Sequence, residues 1–332
     1  MTKRILSGVQ PTGSLHLGNY LGSIKNFIPM QDQGEALYCV VDQHAITVAQ
    51  DPAQLRDATY SVAASFLASG VDEKKSSIFV QSMVPAHAQM AWILSCVARM
   101  GWLNRMTQFK EKAGKNKENA SVGLFTYPVL MAADILCYQA THVPVGDDQK
   151  QHLELARDIA VRFNLEHAKA DFFPLPEPVF MKTATRVMSL RDGTQKMSKS
   201  DVSDYSRINL TDDDDTIALK YRKAKTDAGD MPAVLDDLKD RPDVKNLFTL
   251  YSALQDISLQ QAVDEFQGKN FSALKTAVAD STIAVIAPIR DKMNHLLQDK
   301  QYLNHILHQG AARANHISQS VLRDVYDIMG FV

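Results

Sequence analysis

The chain has 332 residues, 45% hydrophobic and 22% charged, with a formal net charge of −2. That length has room for two domains with ample core, no long charge-free apolar run marks a membrane span, and no basic-then-apolar leader opens the chain. A wholly basic nucleic-acid-binding surface is excluded, although a near-neutral total can hide a local basic face.

Residues 5–6 read as a buried strand running into a loop rich in Gly, Pro, Thr and Ser. Leu17, Tyr20, Leu21, Ile24, Phe27 and Ile28 then recur at the spacing of a helix with one buried face. Unpaired N–H groups at a helix start favour anions, and Gly8, Gly13 and Gly18 let a ligand approach the backbone. A nucleotide is the first hypothesis, an ordinary strand–helix turn the alternative. Residues 36–41 read as a second strand ending at Asp42. Asp51 and Pro52 supply an N-cap and a first-turn proline for a helix carrying Leu55, Thr59, Val62, Phe66 and Leu67, which Gly70 stops.

Residues 77–80 give a third strand and 90–100 a helix buried on more than one side. Helix 127–138, strand 141–145 and helix 149–163 follow. Strands alternating with helices predict an α/β fold, a doubly wound parallel (Rossmann-like) sheet. Ligands of such sheets lie beyond the carboxyl ends of the strands, where Gly8, Asp42, Gln81 and Gly146 fall. The polar, basic loop 110–121 is either a solvated face or a nucleic-acid contact. A second polar loop, 191–204, surrounds the turn pair Asp192-Gly193. From Thr211 the pattern is helical only. The acidic run 212–215 reads as capping for a helix whose basic end suits the helix dipole. Helices 242–254, 258–266, 272–297 and 318–329 follow, so the predicted domains are 1–203 and an all-helical 204–332. Cys39, Cys96 and Cys137 form no C-x-x-C pair and read as reduced core residues of a cytoplasmic protein.

Three groups stand out chemically. Lys196 and Lys199 put two ammonium groups on one serine-rich segment, which suits a mobile phosphate as well as plain solvation. Asp134 lies in an apolar helix, where a carboxylate is costly unless paired; the alternative is a solvent-facing turn. Gly146, Asp147, Asp148 and Gln149 end a strand and begin a helix, where carboxylates commonly cap.

His16-Leu17-Gly18-Asn19 resembles the His-x-Gly-His signature of class I aminoacyl-tRNA synthetases, with Asn19 in the last position. Lys196-Met197-Ser198-Lys199-Ser200 matches that class's second signature at every position. With the intervening blocks 41–45, 127–134 and 146–149, in that order, the chain resembles the bacterial-type tryptophanyl-tRNA synthetases from Arg4 to about Asp201, and more weakly beyond.

The resemblance implies activation of L-tryptophan by ATP with Mg²⁺ and transfer to tRNA(Trp), in a homodimer with a C-terminal anticodon-binding domain whose last helix is a candidate to pack back on the catalytic one. It implies ATP contacts from Gln10, Pro11, Thr12, Gly18, Asn19, Gly146, Asp147, Asp148, Val187 and the segment Lys196, Met197, Ser198, Lys199 and Ser200. His16, Asn19, Lys196 and Lys199 would act in catalysis. The implied tryptophan pocket comprises Asp134, Met131, Tyr127, His44 and Gln149, with Asp134 accepting the indole N–H; no protein-bound metal is expected. The substrate carboxylate is ionised at neutral pH, so His16 is expected to donate to phosphate oxygens and not to act as a base. Asn19 still offers a donor but no positive charge. The rival readings are a tyrosyl-tRNA synthetase and a small-molecule nucleotidylyltransferase.

Overall fold

Among the described residues five short strands form one parallel sheet: β1 (Arg4–Val9), β2 (Glu35–Val40), β3 (Ser76–Val80), β4 (His142–Pro144) and β5 (Glu177–Val179), in the spatial order β3-β2-β1-β4-β5. The structure is a computed structural model and describes residues 3–107, 109, 120–146, 149–179 and 186–332. Residues 110–119 of the basic loop, and Asp147 and Asp148, therefore lie outside the described residues. β2 and β3 bury nearly every side chain, as strands covered on both faces must. In register, Arg4 lies opposite Glu35 and Val9 opposite Val40, while Ile5 lies opposite His142 across the other edge of β1. Strand order reverses between β1 and β4, the place where such sheets open a crevice.

After β1 comes α1, which runs through Leu17–Asn19, a wider turn at Tyr20–Ile24, and Lys25–Met30. Around the sheet lie α2 (Pro52–Ala68), α3 (Ala86–Val97), α4 (Val122–Leu136) and α5 (Lys150–Phe163). Asp51 caps α2 through Gln54 N at 2.9 Å, and Ser121 caps α4 through Leu124 N at 3.1 Å. β5 has no counterpart in the sequence reading; it is three residues with a proline, which an edge strand tolerates. α3 corrects two expectations. It is buried on one face only, through residues such as His87, Met90 and Leu94, and Trp92 on its other face is 72% exposed. Cys96 shares that outer face, so only Cys39 and Cys137 are core cysteines; all three are free.

The longer helices that follow are α6 (Asp214–Arg222), α7 (Pro242–Gln255), α8 (Leu259–Phe266), α9 (Phe271–Gln298) and α10 (Lys300–Met329). Asp213 caps α6 through Thr216 N at 2.7 Å, while Asp212 pairs with the buried Lys220 at 2.6 Å. By length and hydropathy α9 could cross a membrane. Its apolar residues Leu274, Val278, Ile286 and Met293 are instead buried among the other helices. α10 begins eighteen residues before the predicted 318, because its first half alternates polar residues with Leu303, Ile306, Gly310 and Ala314 on the buried face. That face packs on β3: a Cβ on Gly310 would lie 1.9 Å from the carbonyl oxygen of Ile78. Arg313 donates to the Ser76 and Glu73 carbonyls at 2.9 Å.

Candidate active site

A cleft of about 780 Å³ opens at the reversal between β1 and β4. Ser7, Gly8 and Val9, at the carboxyl end of β1, form its floor. Residues from both ends of the sequence meet there. Gln10, Thr12 and Asn19 from the glycine turn face Lys196, Ser198 and Lys199 from the distant lysine segment, and His44, Tyr127, Met131, Asp134 and Gln149 line the same space.

Backbone pairing holds the two signatures together. Leu17 N donates to Ile208 O and Leu210 N to Leu15 O, both at 2.8 Å, so the chain just after the lysine segment lies antiparallel to the start of α1. The lysine segment is one arm of a short ribbon, with Met197 N to Val187 O at 3.0 Å and Ser189 N to Gln195 O at 2.8 Å. α7 seats that ribbon. The Asn246 carboxamide accepts from Met188 N and donates to Met188 O, each at 3.0 Å, and Asp243 accepts from Gly193 N at 2.6 Å. Gly193 has no room for a side chain: a Cβ would lie 2.4 Å from the Pro242 carbonyl carbon.

Lys199 reaches back across the glycine turn, with Nζ donating to Gln10 O at 3.4 Å and its stem beside Gly13, whose φ of +61° suits glycine. Burial lowers the Lys199 ammonium to about 8. His16 is 4% exposed and its Nδ1 has no hydrogen-bond partner among the described residues. Burial first, then the charges of Lys199, Arg207 and Lys196, push its pKa down to about 3, so the ring is neutral at physiological pH. Asn19 Oδ1 accepts from His16 N at 3.1 Å, which leaves the Asn19 amide nitrogen as a donor.

At the other end, Asp134 is 6% exposed and carries three hydrogen bonds. His44 Nε2 lies 2.7 Å from Oδ2; Gln81 Nε2 at 2.7 Å and His87 Nδ1 at 2.6 Å meet Oδ1. Burial alone raises a carboxyl pKa, but the charge and hydrogen bond of His44 and the contacts of His87 outweigh it and lower Asp134 to about 2. Asp134 is therefore the buried, partnered carboxylate of the two alternatives the sequence left open. Tyr127, edge-on to His44, shares a 2.9 Å hydrogen bond with His152 Nε2.

Not every expected residue lines the cleft. Met197 (2% exposed) and Val187 (3%) are core residues, and Gly18 packs between Val187 and the His16 ring. Pro11 lines a separate depression with Gly13, while His16, Ser200 and Gly146 are not on the wall. Of the strand-end residues, Asp42 is occupied by Ser82, whose N–H it accepts at 3.0 Å. Sequence reasoning missed His87, whose signal is a histidine on the inward face of an otherwise apolar helix.

A family model described as class I tRNA synthetases for W and Y matches residues 2–304. A tryptophan–tRNA ligase of Brucella melitensis is 51% identical over 346 aligned positions, covering 99% of this chain and 98% of the relative. A solved tryptophanyl-tRNA synthetase from Mycoplasma pneumoniae superposes with a TM-score of 0.90 at 34% identity, covering 100% of this chain and 99% of that one. The Campylobacter jejuni tryptophanyl-tRNA synthetase, solved with ADP and tryptophan, superposes with a TM-score of 0.81 at 32% identity over 99% of this chain and 100% of that one.

Proposed function

The chain belongs to the class I tRNA synthetases of the tryptophan and tyrosine group, with the activity of a tryptophan–tRNA ligase, and from that premise we propose how its cleft divides the work. Gln10, Thr12 and Asn19 hold ATP at the floor, and Lys196 and Lys199 close on the triphosphate from above. Tryptophan lies between Tyr127, Met131, His44 and Gln149, with its indole N–H donating to Asp134. The observation that carries this reading is the shared cleft: two lysine side chains and one buried carboxylate line the same space.

Activation needs no protein nucleophile or base. A carboxylate oxygen of tryptophan bonds to the α-phosphorus as the bond to the bridging oxygen breaks, and pyrophosphate leaves with the charge. Lys196 and Lys199 stabilise that charge. His16, buried behind the cleft wall and neutral, transfers no proton. Mg²⁺ arrives with ATP as part of the substrate; among the described residues no three His, Cys, Asp or Glu side chains converge to hold a metal.

The helical part, residues 204–332, is the proposed anticodon-binding domain. A cytoplasmic location fits three unpaired cysteines. A homodimer fits the exposed apolar side chains Ile46, Val48, Trp92 and Val122 (79% exposed); Ser121 Oγ, at the start of α4, donates to Thr47 O at 3.2 Å and ties loop 46–48 to that helix.

Single-turnover adenylate formation tests the division of labour. Lys199→Ala should slow activation by about a hundredfold or more while tryptophan affinity stays within about twofold. Asp134→Ala should lower kcat/KM for tryptophan by at least about a hundredfold with little change in ATP binding. Equal losses for both substrates in either variant would refute the assignment.

A further inference from the structure

Asp134 receives its donors unevenly. Oδ1 meets both Gln81 Nε2 and His87 Nδ1, which fills its two lone-pair directions. Among the described residues Oδ2 meets His44 Nε2 alone, leaving one direction open. Both donors on Oδ1 are themselves fixed. Gln81 Oε1 accepts from Gln43 N at 3.1 Å, so its amide nitrogen must face the carboxylate. An ionised carboxylate only accepts, so His87 donates from Nδ1, and its other nitrogen, Nε2, shares a 2.7 Å hydrogen bond with the Tyr138 hydroxyl. Tyr138, His87 and Gln81 are all 0% exposed. The Tyr138 phenol keeps its proton, because burial pushes its pKa well up.

We propose that the buried chain Tyr138–His87, together with Gln81, is a positioning device that saturates Oδ1 of Asp134 and thereby leaves a single acceptor direction on Oδ2 for the indole N–H. Resting on the reading that Asp134 accepts that N–H, it explains how one carboxylate can be a directional reader. A carboxylate free to rotate would present several acceptor directions and tolerate amino acids whose donors sit elsewhere. With Oδ1 locked by two donors, the plane of the group is set by α3 and the end of β3, which do not touch the substrate. His87 is thus a positioning residue whose effect reaches the substrate only through Asp134.

The test is pyrophosphate exchange with tryptophan and with its benzothienyl analogue, which keeps ring size but replaces the N–H by sulfur. The readout is the ratio of the two kcat/KM values, measured for the wild type and for His87→Leu, His87→Asn, Tyr138→Phe and Asp134→Ala. His87→Leu should cut the ratio by about tenfold or more, since a hydrogen bond to a charged group is lost. His87→Asn, whose amide nitrogen sits near the Nδ1 position, should restore most of it. Tyr138→Phe should cut it by a smaller factor, and the ATP KM should be unchanged in all three. If His87→Leu does not fold, the outcomes of Tyr138→Phe and His87→Asn decide. A ratio unaltered by His87→Leu (or, where that variant does not fold, by Tyr138→Phe) while Asp134→Ala abolishes it would overturn the positioning role alone, as would equal losses for both amino acids. A ratio that survives Asp134→Ala would overturn the underlying reading instead.

Discussion

Lys199 and His16 share one electropositive corner, and burial drives both toward their neutral forms. The consequences differ. His16, lowered to about 3, is uncharged throughout the working range, whereas Lys199, lowered to about 8, titrates within it. A bound triphosphate favours the protonated ammonium, so below pH 8 the site is charged in advance, and above it binding must take up a proton. The kcat/KM for ATP should accordingly fall as pH rises through about 8, up to about tenfold per unit. Lys199→Met should lower the plateau and remove that limb; a limb that persists would belong to another group. Asp134, lowered to about 2, should contribute no acid limb above pH 4. At this scale the signature residues were legible because chemistry restricts them to short, ordered motifs. Gln81 was marked only as a strand end and His87 not at all, because their partner, 53 and 47 positions away, is set by packing and not by spacing.

Between residue and molecule lies the ribbon that carries the lysines. α7 grips it through Asn246 and Asp243, and the contact at Gly193 admits no side chain. Gly193→Ala should push the ribbon off α7 and misplace Lys196 and Lys199. Activation should then slow by about ten- to a hundredfold while tryptophan affinity holds. Equilibrium tryptophan binding beside single-turnover activation checks this; a variant indistinguishable from wild type would mean the seat does not position the lysines. Periodicity found four strands and the helices around them, since a buried parallel sheet and amphipathic helices leave strong patterns. It missed β5, whose three residues form no pattern, and the first half of α10, whose buried face mixes Leu303, Ile306 and Leu307 with small residues such as Gly310 and Ala311 among many polar neighbours. It also took α3 as buried on more than one side, because composition does not tell a core residue from an exposed Trp92.

For the whole molecule, Trp92, Met100 and Val122 are large apolar side chains left exposed, of the sort that a partner covers. Trp92→Glu should shift the protein toward monomer in sedimentation at micromolar concentration; a wild type that is itself monomeric would remove the dimer from the account. Patterning did not mark these side chains as exposed, since only the fold decides which apolar residues stay outside the core. The central claim is that the glycine turn and the lysine segment act on one ATP beside a pocket that reads tryptophan. ATP–pyrophosphate exchange with each standard amino acid in turn tests it most directly. Exchange is predicted with tryptophan and, at comparable efficiency, with no other; exchange driven by tyrosine, or by none of them, would contradict it.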